Sequence, residues 1–252
     1  MTVCKPIATV YSQPDINSPQ TDELLFGETA KVLEEKGIFV KIISEYGYTG
    51  WTLKTNLFGD FCTPNFRVCV PFADMLPQGK VGLAPYTALP YGAKVEATLS
   101  SSLKTFAYAT HPAEHCFYMQ ISHLAPLDIL IPSTELMRNR IVDTAKKYLN
   151  VQYRWGGRSH LGIDCSGLCF NAYYFNGITL WRDADIEKNI NLRKIPLNTA
   201  QKGDLLFFKN HMALYLGNNK IIHASLNNGF VATENLKESP YMNSFICAAT
   251  AF

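Results

Sequence analysis

Near residue 132 the hydrophobic pattern of this chain changes period, and any fold must accommodate that change. Upstream, short β-rich runs at residues 8–11, 30–34, 39–43 and 50–53 are separated by the turn formers Pro14, Asn17, Pro19 and Gly37. That rhythm predicts a small, tightly turned barrel. A second β-rich stretch runs from about residue 61 to 127, punctuated by Gly79, Gly82, Pro85, Pro90 and Gly92, with residues 116–121 as an apolar strand. Downstream of Pro132, Ser133 or Thr134 is placed to cap a helix in which Leu136, Ile141, Ala145, Tyr148 and Leu149 recur at helical spacing. Gly156, Gly157 and Gly162 mark a loop leading into a second helix from 165 to about 175, and strands are expected at 205–209, 212–216, 221–225 and 245–249. Helices followed by an antiparallel sheet give an α+β fold class. With 252 residues to distribute, three domains are expected: 1–59, 60–130 and 131–252.

Composition narrows the partners. A net charge of +2 with 17% charged residues argues against nucleic acid or an acidic surface. No apolar run approaches the ~20 residues of a membrane span, and the first residues lack a basic head followed by an apolar stretch. The expectation is therefore a cytoplasmic protein, or a secreted one if a leader has been removed. Seven irregularly spaced cysteines without a Cys-x-x-Cys suggest neither a disulfide framework nor a zinc ribbon. His111, His115 and Cys116 make a poor metal set because Pro112 interrupts them. No phosphate loop or dinucleotide fingerprint is present, so neither a metal nor a cofactor is expected, and no protein partner can be inferred.

The chemistry concentrates in Asp164-Cys165-Ser166-Gly167, between the glycine loop and an apolar helical run. A cysteine at a helix N-terminus meets unpaired N–H groups and the positive end of the dipole, which favours a nucleophilic thiolate. His211 opens a strand and can serve as its base; His223 lies on the next strand, beyond Gly217-Asn218-Asn219. Because strand residues alternate sides, the two imidazoles share a face only if paired positions sum to an even number. A three-residue loop over 217–219, pairing Leu216 with Lys220 and Ala213 with His223, satisfies this, with Gly217 or Asn219 at positive φ.

Several sequence blocks carry a family resemblance. Residues 10–57, including Gly47-Tyr48-Thr49-Gly50-Trp51, resemble a bacterial SH3-like domain, and 60–130 reads as a diverged second copy or a β-rich insertion. From about residue 134 the chain resembles the NlpC-type papain-like peptidases of bacterial cell-wall metabolism. The matching blocks are Tyr153-Arg154-Trp155-Gly156-Gly157, Asp164-Cys165-Ser166-Gly167, Gly203-Asp204-Leu205-Leu206-Phe207-Phe208, His211-Met212-Ala213-Leu214 and Ile222-His223-Ala224-Ser225.

The resemblance implies a papain-like C-terminal domain, with Cys165 as nucleophile, His211 as general base and His223 orienting His211. Tyr153 would donate to the developing oxyanion or contact the substrate. Asp164, Ser166 and, from the block Arg182-Asp183-Ala184, Asp183 would line the substrate pocket. With SH3-like material in front, the chain most resembles γ-D-glutamyl-L-diamino-acid endopeptidases (dipeptidyl-peptidase VI), which cut murein stem peptides carrying a free N-terminal L-Ala. An α-ammonium in a partly dry pocket needs an anion, and Asp164 is a suitable one; the alternative is that Asp164 only caps the helix that begins at Cys165. Tyr46 or Tyr48 is expected to wall the same pocket. Cysteine and histidine alone specify only acyl transfer, so an amidase or acyl transferase is the alternative enzyme, and a wall-binding protein the alternative outside enzymes.

Overall fold

A computed structural model describes residues 1–59, 63–99, 102–111, 116–127 and 133–252. The boundary expected at 130/131, with Pro132, Pro112 and His115, lies outside them. The chain separates into two compact units, residues 1–128 and 129–252.

The first unit opens with a five-stranded antiparallel sheet in the order Gln20–Leu25, Ile7–Tyr11, Thr49–Leu53, Phe39–Ser44, Ala30–Lys36. Alternation along these strands buries Ala8, Val10, Val40 and Ile42 around Leu24 and Val3. The strand Gln20–Leu25 is absent from the sequence expectation because its run Gln-Thr-Asp-Glu is polar, yet Asp22 and Glu23 are buried. Asp22 accepts the Tyr46 hydroxyl, so that acid is hydrogen-bonded rather than stranded. Residues 63–127 form short two- and three-stranded sheets around a second cluster that includes Val68, Met75, Leu89, Val95 and Met119. Phe26, from the first sheet's side of the unit, is buried in that cluster, and the Lys94 N–H donates to the Phe26 carbonyl at 2.8 Å. His111 is buried there too, its Nε2 3.0 Å from the Cys4 carbonyl oxygen.

The second unit begins with helix α1, Thr134–Lys146, capped by the Ser133 hydroxyl. Helix α2, Cys165–Tyr174, is buried on almost every side. It packs on α1 and on the strands His211–Gly217 and Lys220–Ser225. Each of its fully buried large apolar side chains, Leu168 and Phe170 among them, stabilises by roughly 1.5–3 kcal/mol. The six-stranded antiparallel sheet runs Arg193–Ile195, Phe245–Thr250, Leu205–Phe208, His211–Gly217, Lys220–Ser225, Phe230–Asn235. Its two edge strands are absent from the sequence expectation. Arg193–Ile195 is short and charged, and Phe230–Asn235 ends in the polar run Thr-Glu-Asn.

The glycine loop is a tight hairpin, Arg158–Ser159 against Gly162–Ile163, and it lies directly on the start of α2. A Cβ on Gly167 would sit 2.4 Å from the Gly157 carbonyl oxygen and 2.9 Å from Asp164 Oδ1. Gly167→Ala should therefore push the first turn of α2 off the hairpin, costing about 1–3 kcal/mol in stability as an overpacked site. Urea unfolding and an activity assay on the same sample check this; both should fall together.

Candidate active site

Asp164 holds the start of α2 in place. Its Oδ1 accepts the Gly167 N–H at 2.6 Å, the N-cap bond, and its Oδ2 accepts the Gly156 N–H at 2.7 Å. Arg182, buried and absent from the expected site residues, donates to Asp164 Oδ1 at 3.0 Å, to Oδ2 at 3.2 Å, to Ser166 Oγ at 2.9 Å and to the Gly157 carbonyl at 3.2 Å. The Ser166 hydroxyl donates in turn to Asp164 Oδ1 at 3.2 Å. Asp164 and Ser166 are thus engaged inside the protein. Asp164 therefore caps α2 and pairs with Arg182, one residue before the nucleophile. Asp183, the next residue after Arg182, is half-exposed.

Cys165 is the first residue of α2 and is 7% exposed. Helix α2 packs on the strand that His211 begins, and the main-chain N–H groups of Met212 and Ser166 pull the thiol's pKa down. Burial first, and then the Asp164 charge, push the thiol up to about 12, against the opposing pull of those two N–H groups and Arg182.

His211 and His223 share a face, with Nε2 of His211 2.8 Å from Nδ1 of His223. The turn between their strands differs from the expectation. Gly217 pairs with Lys220 across a two-residue turn, Asn218-Asn219, with φ of 51° and 55°, as a tight hairpin requires. A two-residue turn alone would send the imidazoles to opposite faces. A bulge between Tyr215 and Gly217 restores the even sum, so Leu214 pairs with Ile222 and the rings meet.

Burial, with the neighbouring His223, holds His211 down at about 3. His223, wholly buried, is also lowered, by burial against the opposing influence of Glu234. Both imidazoles are therefore neutral at pH 7. Tyr241, which no sequence signal singled out, stacks on His211 with ring centroids 3.9 Å apart and planes at 15°; its hydroxyl is 3.3 Å from Ser225 Oγ. Tyr153 is half-exposed, and burial followed by the charges of Cys165, Asp164 and Tyr241 raises its phenol well above the usual range, so it remains a donor. Tyr48 belongs to the first unit, where its N–H donates to Ser44 Oγ at 3.0 Å in the turn before Thr49–Leu53.

Residues 150–250 match the NlpC/P60 family and residues 8–57 match the bacterial SH3 domain. Taken with the α+β scaffold and its buried thiol, these matches make the protein a papain-like cysteine peptidase. Dipeptidyl-peptidase 6 of Lysinibacillus sphaericus is 34% identical over 244 residues, spanning 92% of this chain and 90% of that one. At that level of identity the chain belongs to the NlpC/P60 family. A γ-D-glutamyl-L-lysine dipeptidyl-peptidase of Bacillus subtilis is 27% identical over 90% of this chain and 79% of its own. The crystal structure of an NlpC/P60 family protein from Bacillus cereus superposes with a TM-score of 0.83, covering 98% of this chain and 97% of that one at 21% identity, a likeness of fold.

Two measurements follow from these environments. Asp164→Ala leaves Arg182 buried without its anion and removes the cap, so chemical denaturation should show a loss of about 3–5 kcal/mol. For the histidines, the folded-state values lie below the unfolded one, so the unfolded chain takes up protons that the folded chain refuses. Stability should be indifferent to His211 above about pH 6.5 and decline below it toward pH 3, by up to about 1.4 kcal/mol per pH unit for each such histidine. Unfolding curves in His211→Asn should show a shallower decline between pH 6.5 and 4.

Proposed function

We propose that the protein hydrolyses the γ-D-Glu–diamino acid bond of murein stem peptides that carry a free N-terminal L-Ala. The observation that carries the reading is the 2.8 Å His211–His223 contact, with Cys165 as the first residue of a helix α2 that packs on the strands of both histidines. The names of the relatives, dipeptidyl-peptidase 6 and γ-D-glutamyl-L-lysine dipeptidyl-peptidase, support the choice of bond over an amidase or acyl-transferase reaction on the same side chains.

In this reading a neutral thiol and a neutral imidazole start the reaction. His211 Nε2 faces His223, which leaves Nδ1 to take the Cys165 proton as sulfur attacks the γ-carbonyl carbon. The tetrahedral oxyanion is met by the Cys165 N–H, which no bond within α2 uses, and by the Tyr153 hydroxyl. His211 returns its proton to the departing amine of the diamino acid, leaving a thioester. Water, deprotonated by His211, then cleaves the thioester, releases L-Ala-D-Glu and restores the thiol. The substrate ammonium is assigned to the Asp164 carboxylate beside the nucleophile, with Asp183 in the same pocket segment.

Incubation with L-Ala-γ-D-Glu-L-Lys should yield L-Ala-D-Glu and lysine by mass spectrometry, and Cys165→Ala should abolish turnover. The N-acetylated peptide should lose most of kcat/KM. Equal cleavage of blocked and free peptides would point instead to an open-ended wall hydrolase.

A further inference from the structure

We propose that Glu234 is a positioning residue of the catalytic centre: its carboxylate faces His223 Nε2 and thereby fixes the proton arrangement that leaves His211 competent as a base. The inference rests on the reaction proposed above for Cys165 and His211, and assigns a role to a residue on the edge strand Phe230–Asn235.

The strand register brings the carboxylate to the ring. Glu234 pairs with Ile221 and His223 pairs with Ala232, so Glu234 and His223 are diagonal neighbours on one face. Glu234 Oε1 lies 3.2 Å from His223 Nε2, with the His223 side chain fully buried and that of Glu234 23% exposed. Among the described residues no other acceptor engages this nitrogen.

Two neutral arrangements are compatible with the 2.8 Å contact between His211 Nε2 and His223 Nδ1, since one ring must donate and the other accept. If His223 donates from Nδ1, its Nε2 carries a lone pair pointing at a carboxylate oxygen 3.2 Å away, a repulsive contact in a buried setting. His211 then accepts at Nε2 and carries its proton on Nδ1, where it cannot take one from the thiol. If His211 donates from Nε2, His223 accepts at Nδ1 and presents Nε2–H to Glu234. This second arrangement leaves the His211 Nδ1 lone pair open to Cys165. The carboxylate thus selects the productive tautomer of a ring it does not touch, and it stabilises positive charge on the imidazole pair while His211 holds the thiol's proton.

Glu234→Ala and Glu234→Gln in the full chain test this, with nitrogen-15 spectra of labelled histidines read beside steady-state kinetics. The intact protein should show both His211 and His223 protonated on Nε2. Glu234→Ala should mix the His223 tautomers and lower kcat about 10-fold with KM unchanged, whereas Glu234→Gln, whose amide oxygen still accepts, should keep the tautomer and recover most of kcat. A His223 protonated on Nδ1 in the intact protein, or Glu234→Ala with unaltered tautomers and kcat, would overturn the assignment. The spectra do not depend on turnover, so full activity in Cys165→Ala would remove the proposed reaction while leaving the tautomer result to stand or fall separately.

Discussion

The ion pair between Arg182 and Asp164 is the interaction on which the catalytic unit's geometry depends. Asp164 caps α2, gathers the Gly156 N–H from the glycine hairpin and neutralises an arginine that has no access to water. Three chain segments, at Gly156, Gly167 and Arg182, are therefore tied at one carboxylate, one residue before the nucleophile. Buried ion pairs contribute little net stability when compared with apolar replacements. They do demand a single geometry, and here that geometry belongs to the residue that carries the thiol. Glycine at 157 and 167 lets the segments approach closely enough for the tie to close.

The same burial that makes the tie effective sets the electrostatic character of the site. A helix N-terminus and two N–H groups would ordinarily favour a thiolate, yet the thiol is pushed up to about 12 and its histidine down to about 3. Both shifts have burial as their largest cause. Tyr241 lies flat against His211, and an aromatic face in that position favours the imidazolium as it forms. The polar groups around the thiol are thus arranged for a charge that exists only transiently.

Much of this was legible in the sequence, for identifiable reasons. Helix α2 and the strands of His211 and His223 announce themselves because they are dominated by apolar residues. Residues 20–25 and 230–235 do not, since buried acids and an edge strand's polar positions break the alternation that identifies a strand. Glu234 was missed with its strand. Arg182 was read only as part of a resembling block, because a buried cation has no local signature: its meaning comes from Asp164, eighteen positions away. Tyr241 sits in a short 3-10 turn, and nothing near it in the chain hints that it covers an imidazole. The charge on Asp164 was legible beside the nucleophile, whereas its pairing with Arg182 was not.

The bulge before Gly217 makes the spacing of the two histidines a matter of parity rather than distance. One residue removed there would turn every side chain of the following strand inside out, as a single-base deletion garbles all downstream codons, whereas two residues added to the turn would leave the reading frame of the sheet intact. The hairpin can therefore drift in length only in steps of two, unless a loss in the turn is matched by a gain in the bulge. Its Asn-Asn turn and its bulge have to be inherited as one unit, although neither touches the thiol.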